Sequence, residues 1–206
     1  MYVGDIETQA ELNKRVQDAA FIGTLQATYT DFFYLRPEWQ HNAERDSLLG
    51  VSLTGIASLP KDHKLDFHEA AEYATETNIE WAERLNIKPA KRVTCVKPSG
   101  TTSLVMGTSS GIHAWYSPHY IRRMRLNKEE ALYKYLADKL PDLVEDEFLR
   151  PDDTAVVSIP IQAPETAIFR SESAIDTLER VLKFSQTWIE GGHSEGTNRH
   201  NVSCTI

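Results

Sequence analysis

Cysteine is scarce in this chain of 206 residues, which has two, Cys95 and Cys204. Two distant thiols exclude a disulfide scaffold and a cysteine-cluster zinc site within the chain, and they suit a reducing compartment. No apolar stretch approaches the roughly 18 residues of a membrane helix. The N-terminal sequence MYVGDIETQ lacks the basic and apolar regions of a secretory signal. We therefore expect a soluble, cytoplasmic chain without a membrane partner.

A basic surplus is also missing, because 22 Lys and Arg face 30 Asp and Glu, for a formal charge of −8. Binding the phosphate backbone of nucleic acids needs such a surplus, so direct nucleic-acid binding is not expected. The hydrophobic share of 41% and the charged share of 25% are ordinary for a globular chain. The length is sufficient to bury a sizeable core.

Strand and helix patterns alternate along the chain, which predicts an α/β architecture. Thr8, Asp66 and Ser173 each begin a capping pattern followed by helical spacing of apolar residues. The polar residues 40–46 are expected to form a solvated turn. On the helix that follows Ser173, the expected inner face carries Ile175, Leu178, Val181, Leu182, Ser185 and Trp188 or Ile189.

Residues 49–56 alternate between large apolar and small side chains, which predicts a strand. The small face carries Gly50, Ser52 and Thr54. Small residues on one side of a strand suit the approach of a ligand or of another backbone segment. A strand that a helix crosses closely explains the same pattern.

The segment PSGTTSLVMGTSSGIH, which begins at Pro98, follows a strand pattern over residues 91–97. A strand that runs into a glycine- and hydroxyl-rich turn before a short helix presents unbonded N–H groups and the positive end of a helix dipole. This combination suits a phosphate group. No Gly-Lys-Ser/Thr ends the turn, so a P-loop NTPase is not supported. A hydroxyl-rich helix cap without a ligand explains the residues equally well.

Several segments together resemble the adenosylcobalamin-dependent (class II) ribonucleotide reductases. KPSGTTSLVMGTSSGIHAWYSPHYIRRMR resembles their phosphate-loop region, LLGVSLTGI the strand before it, and TLQATYTDFFYLRPEW the preceding helix and turn. GTNRHNVSCTI is similar to a later strand of the same barrel. Order and approximate spacing agree across nearly the whole chain. The sequence resembles the reductases that use triphosphate substrates more closely, and the diphosphate-using type is the alternative.

The resemblance implies half of a ten-stranded α/β barrel, with residues 1–206 as a single partial domain, the C-terminal half-barrel. It implies a reductase that makes deoxyribonucleotides by B12-initiated thiyl radical chemistry. The implied partners are a ribonucleotide substrate, the missing N-terminal half and a thioredoxin-type reductant. The implied cofactor is adenosylcobalamin, with a site that is incomplete in this chain. The implied phosphate-binding residues are Pro98, Ser99, Gly100, Thr101, Thr102 and Ser103.

The resemblance also implies catalytic parts that this sequence lacks. The family uses a radical cysteine, a glutamate in an Asn-Pro-Cys-Gly-Glu segment and pairs of reducing cysteines, and none of these contexts occurs here. No residue of this chain is therefore expected to be catalytic, and the isolated chain is expected to be inactive. Cys95 and Cys204 are interpreted as small strand residues.

The remaining candidates each have a structural explanation. Arg122, Arg123 and Arg125 could face an anion or a corrin, but a solvated strand face is favoured. Trp115 and Tyr116 could stack on a base, but a packed aromatic pair is favoured. Residues 142–153 are acidic and predict a solvated loop. No metal is expected, because metal-ligand spacing is lacking among His113, His119, His193 and His200.

Two further hypotheses compete with a reductase. One is a catalytically inactive phosphate-binding or interaction module that keeps the hydroxyl-rich turn. The other is a degenerate product that does not fold alone, which a cooperative melt would exclude.

Overall fold

The structure is a computed structural model that describes residues 1–193 and 197–205. These residues form two compact units, one from residues 1–115 with the chain from Thr166 onward, and one from Tyr116–Glu165. Helices and strands alternate, so the predicted α/β class is confirmed. Across the described ranges, no helix has the length and apolar character needed to cross a membrane.

Three helices of the first unit begin where the sequence places caps. The Thr8 side chain accepts from the Glu11 N–H, and Asp66 accepts from two N–H groups of its helix. Ser173 forms a complete capping box with Asp176. The helices are α1 (Gln9–Gln26), α2 (Pro37–Asp46), α3 (Phe67–Arg84), α4 (Gly100–Val105) and α6 (Ala174–Phe184), which continues as a π-helical turn, Ser185–Ile189.

A short parallel sheet forms the centre of this unit. Strand β1 (Val51–Ser52) pairs with β2 (Thr94–Cys95), with Val51 opposite Thr94. Extended segments flank the pair: Tyr2 bridges to Thr54 and Val202 bridges to Val96, both in the parallel sense. Four chain segments therefore run side by side in one direction, in the order N-terminal segment, β1, β2, C-terminal segment.

Helices α1 and α3 pack together through apolar and polar contacts. Asn78, which is 1% exposed, donates to the Thr24 hydroxyl at 2.9 Å and accepts from the Ala90 N–H at 2.8 Å. One side chain thus joins both helices to the segment that enters β2. The fully buried apolar side chains around the sheet include Val3, Leu12, Val16, Leu53, Val93, Val96, Ile112 and Trp188.

The second unit is an antiparallel sheet in the order β3-β5-β4, with strands β3 (His119–Asn127), β4 (Val144–Asp146) and β5 (Thr154–Gln162). Helix α5 (Ala131–Lys139) joins β3 to β4 through a 3-10 turn, Pro141–Leu143. The strand expected at Arg122, Arg123 and Arg125 is confirmed as β3, and β5 is rich in β-branched residues, which favour strands.

Three local predictions are wrong. The expected turn at residues 40–46 lies in helix α2, because Pro37 at its first position favours helix initiation; the helix buries no residue. The expected acidic loop at 142–153 contains β4, since pairing with β5 satisfies its backbone. On α6, Ile175, Leu178 and Leu182 are exposed, because Phe184 and the π-helical turn provide the buried contacts.

Candidate functional site

The hydroxyl-rich segment lies at the carboxyl end of the parallel sheet. Strand β2 continues through Val96 and Lys97 into Pro98, and helix α4 begins at Gly100. Because β1 and β2 are parallel neighbours, Thr54 at the end of β1 reaches this same edge. In open α/β sheets this edge is where ligands bind.

Three hydroxyl groups meet beneath the turn. Ser99 Oγ donates to Thr54 Oγ1 at 2.8 Å, and Thr54 Oγ1 lies 2.7 Å from Ser103 Oγ. Ser99 Oγ and Ser103 Oγ are 2.5 Å apart. Thr54 and Ser103 are buried, so the cluster is an internal network rather than a solvated surface.

The far end of the loop returns to the same threonine. The Gly111 N–H donates to Thr54 Oγ1 at 2.8 Å, and Thr54 Oγ1 donates to the Ser109 carbonyl at 3.2 Å. The Ser99 N–H donates to Ser110 Oγ at 2.9 Å, which ties the two ends of the loop to each other. Residues 99 and 111 are thereby held together by side chains of the loop and by that of Thr54, just after β1.

A second hydroxyl contact fixes the returning segment of the loop. Ser58 Oγ lies 3.1 Å from Thr108 Oγ1 and accepts from the Trp115 indole N–H at 2.9 Å. Trp115 is buried, so its indole is a packing group. Tyr116 is 55% exposed and its ring lies 5.6 Å from that of Tyr120, so the expected packed pair of Trp115 and Tyr116 is wrong. The loop is therefore anchored at both Thr54 and Ser58.

The apex of the turn is open. Gly100, Thr101 and Thr102 are exposed, and a Cβ atom added at Gly100 would meet nothing within 4 Å among the described residues. Ser99 occupies the N-cap position of α4, yet its side chain makes no capping hydrogen bond, because it points into the hydroxyl cluster. The first-turn N–H groups of α4 are therefore left for water or a ligand.

A groove of about 340 Å³ leads from the apex along β1 toward α1. Ser99, Thr102, Ser52 and Thr54 form part of its polar lining, and Ala19 and Ile22 of α1 lie opposite. A larger cavity of about 690 Å³ borders α6, but Arg180 there is paired with Glu172 at 2.5 Å, with both side chains largely buried. Of these two cavities, the groove is the one that contacts the loop.

The small face of β1 contacts another part of the backbone, one of the two readings the sequence left open. Ser52 Oγ accepts from the Lys97 N–H at 3.0 Å, and Thr54 accepts from the Gly111 N–H. Sequence reasoning singled out these small residues but gave Thr54 no role. The serine and threonine at the far end of the loop, Ser110 and Thr108, were likewise missed as anchors, although their hydroxyl chemistry was visible in the segment.

Cys95 lies on β2 beneath the loop and is buried. Burial raises the pKa of its thiol, and this effect outweighs the hydrogen bond with Ser52, which lowers the pKa. A Cβ atom added at Gly50 would lie 3.6 Å from Cys95 Sγ, so the thiol packs against the β1 backbone. This environment is that of an inert packing residue, and Cys204 also packs against the core.

The arginines of β3 face carboxylates of the same sheet. Arg123 pairs with Glu145, and Arg125 with Glu147 at 3.3 Å. Both arginine side chains are exposed, so this part of β3 is the solvated strand face that the sequence favoured. Among the described residues, no group of three or more His, Cys, Asp or Glu side chains could hold a metal ion.

No protein-family model matches the chain, but curated relatives do. A stretch of 169 residues is 31% identical to the adenosylcobalamin-dependent ribonucleoside-triphosphate reductase of Euglena gracilis, covering 77% of this chain and 23% of that protein. A stretch of 177 residues is 29% identical to a probable adenosylcobalamin-dependent ribonucleoside-triphosphate reductase of Dictyostelium discoideum. It covers 79% of this chain and 21% of that protein. The chain thus spans about a fifth of the length of these relatives.

A crystal structure of a B12-dependent (class II) ribonucleotide reductase shares the fold. Its TM-score is 0.56, at 19% identity, over 72% of this chain and 25% of that one. This chain is a homologue of the adenosylcobalamin-dependent ribonucleotide reductases. The family resemblance and the α/β fold class predicted from the sequence are both confirmed. The phosphate-binding role of residues 98–103 stays a prediction.

Proposed function

We propose that this chain supplies the substrate phosphate loop of a cytoplasmic class II ribonucleotide reductase. One observation carries the proposal: the Ser99 hydroxyl is held in the cluster beneath the turn, so the exposed first turn of α4 has no side-chain cap. Uncapped N–H groups at the carboxyl edge of a parallel sheet form an anion-binding surface.

In this proposal residues 98–103 have different roles in binding the phosphate. The N–H groups of Gly100, Thr101 and Thr102 face the phosphate oxygens, and the exposed threonine hydroxyls add donors. Gly100 allows close approach, since no side chain fills the space above it. Pro98 sets the turn, while Ser99 and Ser103 fix its shape from below.

We propose further that residues 1–206 are one partial domain, the C-terminal half of a ten-stranded barrel. The parallel order of the N-terminal segment, β1, β2 and the C-terminal segment supports this arrangement. The similarity in fold to a class II reductase supports it as well. The missing N-terminal half is the partner that the proposal requires.

For the complete protein we propose reduction of a ribonucleoside triphosphate to the deoxy form, as the names of the relatives suggest. The thiyl radical cysteine and the reducing cysteines would come from other parts of that protein, with electrons from a thioredoxin-type reductant. Cys95 is unsuited to the radical role, because its buried thiol packs against the backbone of β1.

Adenosylcobalamin, when bound, supplies the radical that starts the reaction in this family. Three of the side chains that could be offered to a corrin are already engaged: Arg123 and Arg125 pair with carboxylates, and Trp115 is buried. These residues do not fit a corrin site by themselves. We therefore assign the cofactor site mainly to the rest of the complete protein.

The direct test is a titration of the full chain with cytidine triphosphate, in which isothermal titration calorimetry measures the binding. We expect saturable binding that is lost when Thr101→Val and Thr102→Val are combined. The matched control combines Thr75→Val with Thr187→Val, because those hydroxyls donate to backbone carbonyls away from the loop. Absence of binding by the unaltered chain, or equal loss in the control, would contradict the proposal.

A second candidate is a free-standing phosphate-binding module without radical chemistry. The observation in its favour is that side chains of the first unit alone anchor the loop. Reconstitution separates the two candidates. A reductase fragment mixed with a polypeptide carrying the Asn-Pro-Cys-Gly-Glu segment and adenosylcobalamin should form deoxyribonucleotides, whereas a module should bind phosphate and form none.

A further inference from the structure

Thr54 is a buried residue that contacts both ends of the loop. It lies on the chain just after β1, is 2% exposed, and has its hydroxyl within hydrogen-bond distance of four groups. Two of them, Ser99 Oγ and Ser103 Oγ, belong to the start of α4, and the other two, the Gly111 N–H and the Ser109 carbonyl, belong to the returning segment.

These contacts use the full capacity of a hydroxyl, which has one proton to donate and two lone pairs to accept with. Thr54 Oγ1 accepts from the Ser99 hydroxyl and the Gly111 N–H, and its own proton goes to Ser103 Oγ or the Ser109 carbonyl. Valine at this position would keep the shape but leave the buried Gly111 N–H without this acceptor. Ser110 also ties the two ends, through the Ser99 N–H, but Thr54 does so from outside the loop.

The contact with Ser99 has a consequence for the site. Ser99 is at the N-cap position, where a serine hydroxyl ordinarily accepts from the N–H of the second or third helical residue. Thr54 and Ser103 hold this hydroxyl away from the helix, so the first-turn N–H groups stay available. The state of the anion-binding surface therefore depends on a residue that does not itself face the apex.

We infer that Thr54 is a positioning residue for the phosphate loop: its hydroxyl fixes residues 99–111 and diverts Ser99 from capping α4. This inference rests on the proposed function of the loop. It adds a residue from outside the hydroxyl-rich segment, and it assigns that residue a role in holding the binding surface rather than in touching the phosphate.

The test uses the full chain with inorganic tripolyphosphate as the probe. Thr54→Val should weaken binding about tenfold or more, the equivalent of at least one lost hydrogen bond. Thr54→Ser, which keeps the hydroxyl, should bind within about threefold of the unaltered chain. Equal affinity of the valine and serine variants would overturn the inference.

Thr24→Val is the matched control for a loss of stability alone. Thr24 is also fully buried, and its hydroxyl donates to the Ala20 carbonyl at 2.7 Å and accepts from Asn78 at 2.9 Å within the α1–α3 contact. This variant should lower the melting temperature and leave the affinity for tripolyphosphate unchanged. A comparable loss of affinity in Thr24→Val would show that a loss of stability alone weakens binding, and it would overturn the inference.

A measurement without ligand separates this inference from the proposed function. In Thr54→Val the amide protons of Gly111 and Ser99 should exchange faster than in Thr54→Ser, while amides of α3 exchange equally in both. If the unaltered chain does not bind tripolyphosphate, the proposed function fails on its own. Unchanged exchange at Gly111 would then show that Thr54 does not position the loop.

Discussion

The hydroxyl of Ser99 lies 2.8 Å from that of Thr54, a residue 45 positions earlier in the chain. The contact joins the N-cap of α4 to the end of β1, and it occupies a side chain that would otherwise cap the helix. The shape of the turn is thus determined by the neighbouring strand as well as by its own sequence.

Gly111 should tolerate no side chain. Its φ is +58°, and a Cβ atom would lie 2.8 Å from the Lys97 carbonyl oxygen, which is backbone and has little room to move. We expect Gly111→Ala to lower the free energy of unfolding by about 2–4 kcal/mol, measured by urea denaturation. Gly100→Ala is the control, because a Cβ atom there meets open space and should change stability by less than about 0.5 kcal/mol. Equal stability of the two variants would contradict this account of the loop.

Asn78 should be important for stability rather than for binding. Removing its side chain would leave the Thr24 hydroxyl and the Ala90 N–H without these buried contacts. We expect Asn78→Ala to cost about 2–4 kcal/mol in thermal or urea unfolding. Asn42, exposed on α2, provides the comparison, and Asn42→Ala should fall within about 0.5 kcal/mol of the unaltered chain. A small effect at Asn78 would mean that α1 and α3 are held by their apolar contacts alone.

The two thiols should differ in reactivity. Cys95 is 4% exposed, and burial raises the pKa of its thiol, whereas Cys204 is half-buried. With a disulfide reagent, we expect one thiol to react quickly in the native chain and the second to react after denaturant is added. Cys204→Ser should abolish the quick reaction. Rapid labelling that persists in this variant would show an accessible Cys95 and reopen a chemical role for it.

Glu147 should make one turn of the second unit sensitive to pH. Hydrogen bonds from the Leu149 and Arg150 N–H groups lower the pKa of this carboxyl below its ordinary value of 4.5. A lowered pKa in the folded state means that the stabilisation is complete above about pH 5 and is lost as the pH falls below about 4.

Amide exchange at Leu149 and Arg150, compared between the unaltered chain and Glu147→Gln at each pH, measures this effect. The protection difference between the two proteins should be largest near neutral pH and should disappear in acid. A difference that is independent of pH would contradict the role of the ionised carboxylate.

Local signals in the sequence predicted much of the fold. The caps at Thr8, Asp66 and Ser173 are confirmed, because the capping residues bond to N–H groups within three positions of themselves. The strand expected for Arg123 and Arg125 is β3, and β5 has the β-branched composition typical of a strand. The parallel neighbours of β1 and β2 follow from contacts between distant segments and could not be derived from the pattern alone.

The residue types of the candidate site were predictable from the sequence, but the contacts that hold the loop in place were not. Composition singled out residues 98–103, but Thr54 and Gly111 are 57 residues apart, and their contact arises from the sheet. The apolar pattern of α6 predicted a buried face, whereas Ile175 and Leu182 are exposed. Periodicity identifies an apolar stripe, but it does not identify what covers that stripe.

The most direct test of the central claim is a titration of the ¹⁵N-labelled chain with a ribonucleoside triphosphate, followed through the amide signals of Gly100, Thr101 and Thr102. If the first turn of α4 holds the phosphates, these three signals should shift together and saturate at one stoichiometric equivalent, while signals of the second unit stay in place. Unchanged signals at the three residues, or shifts spread evenly over the chain, would contradict a phosphate loop at this position.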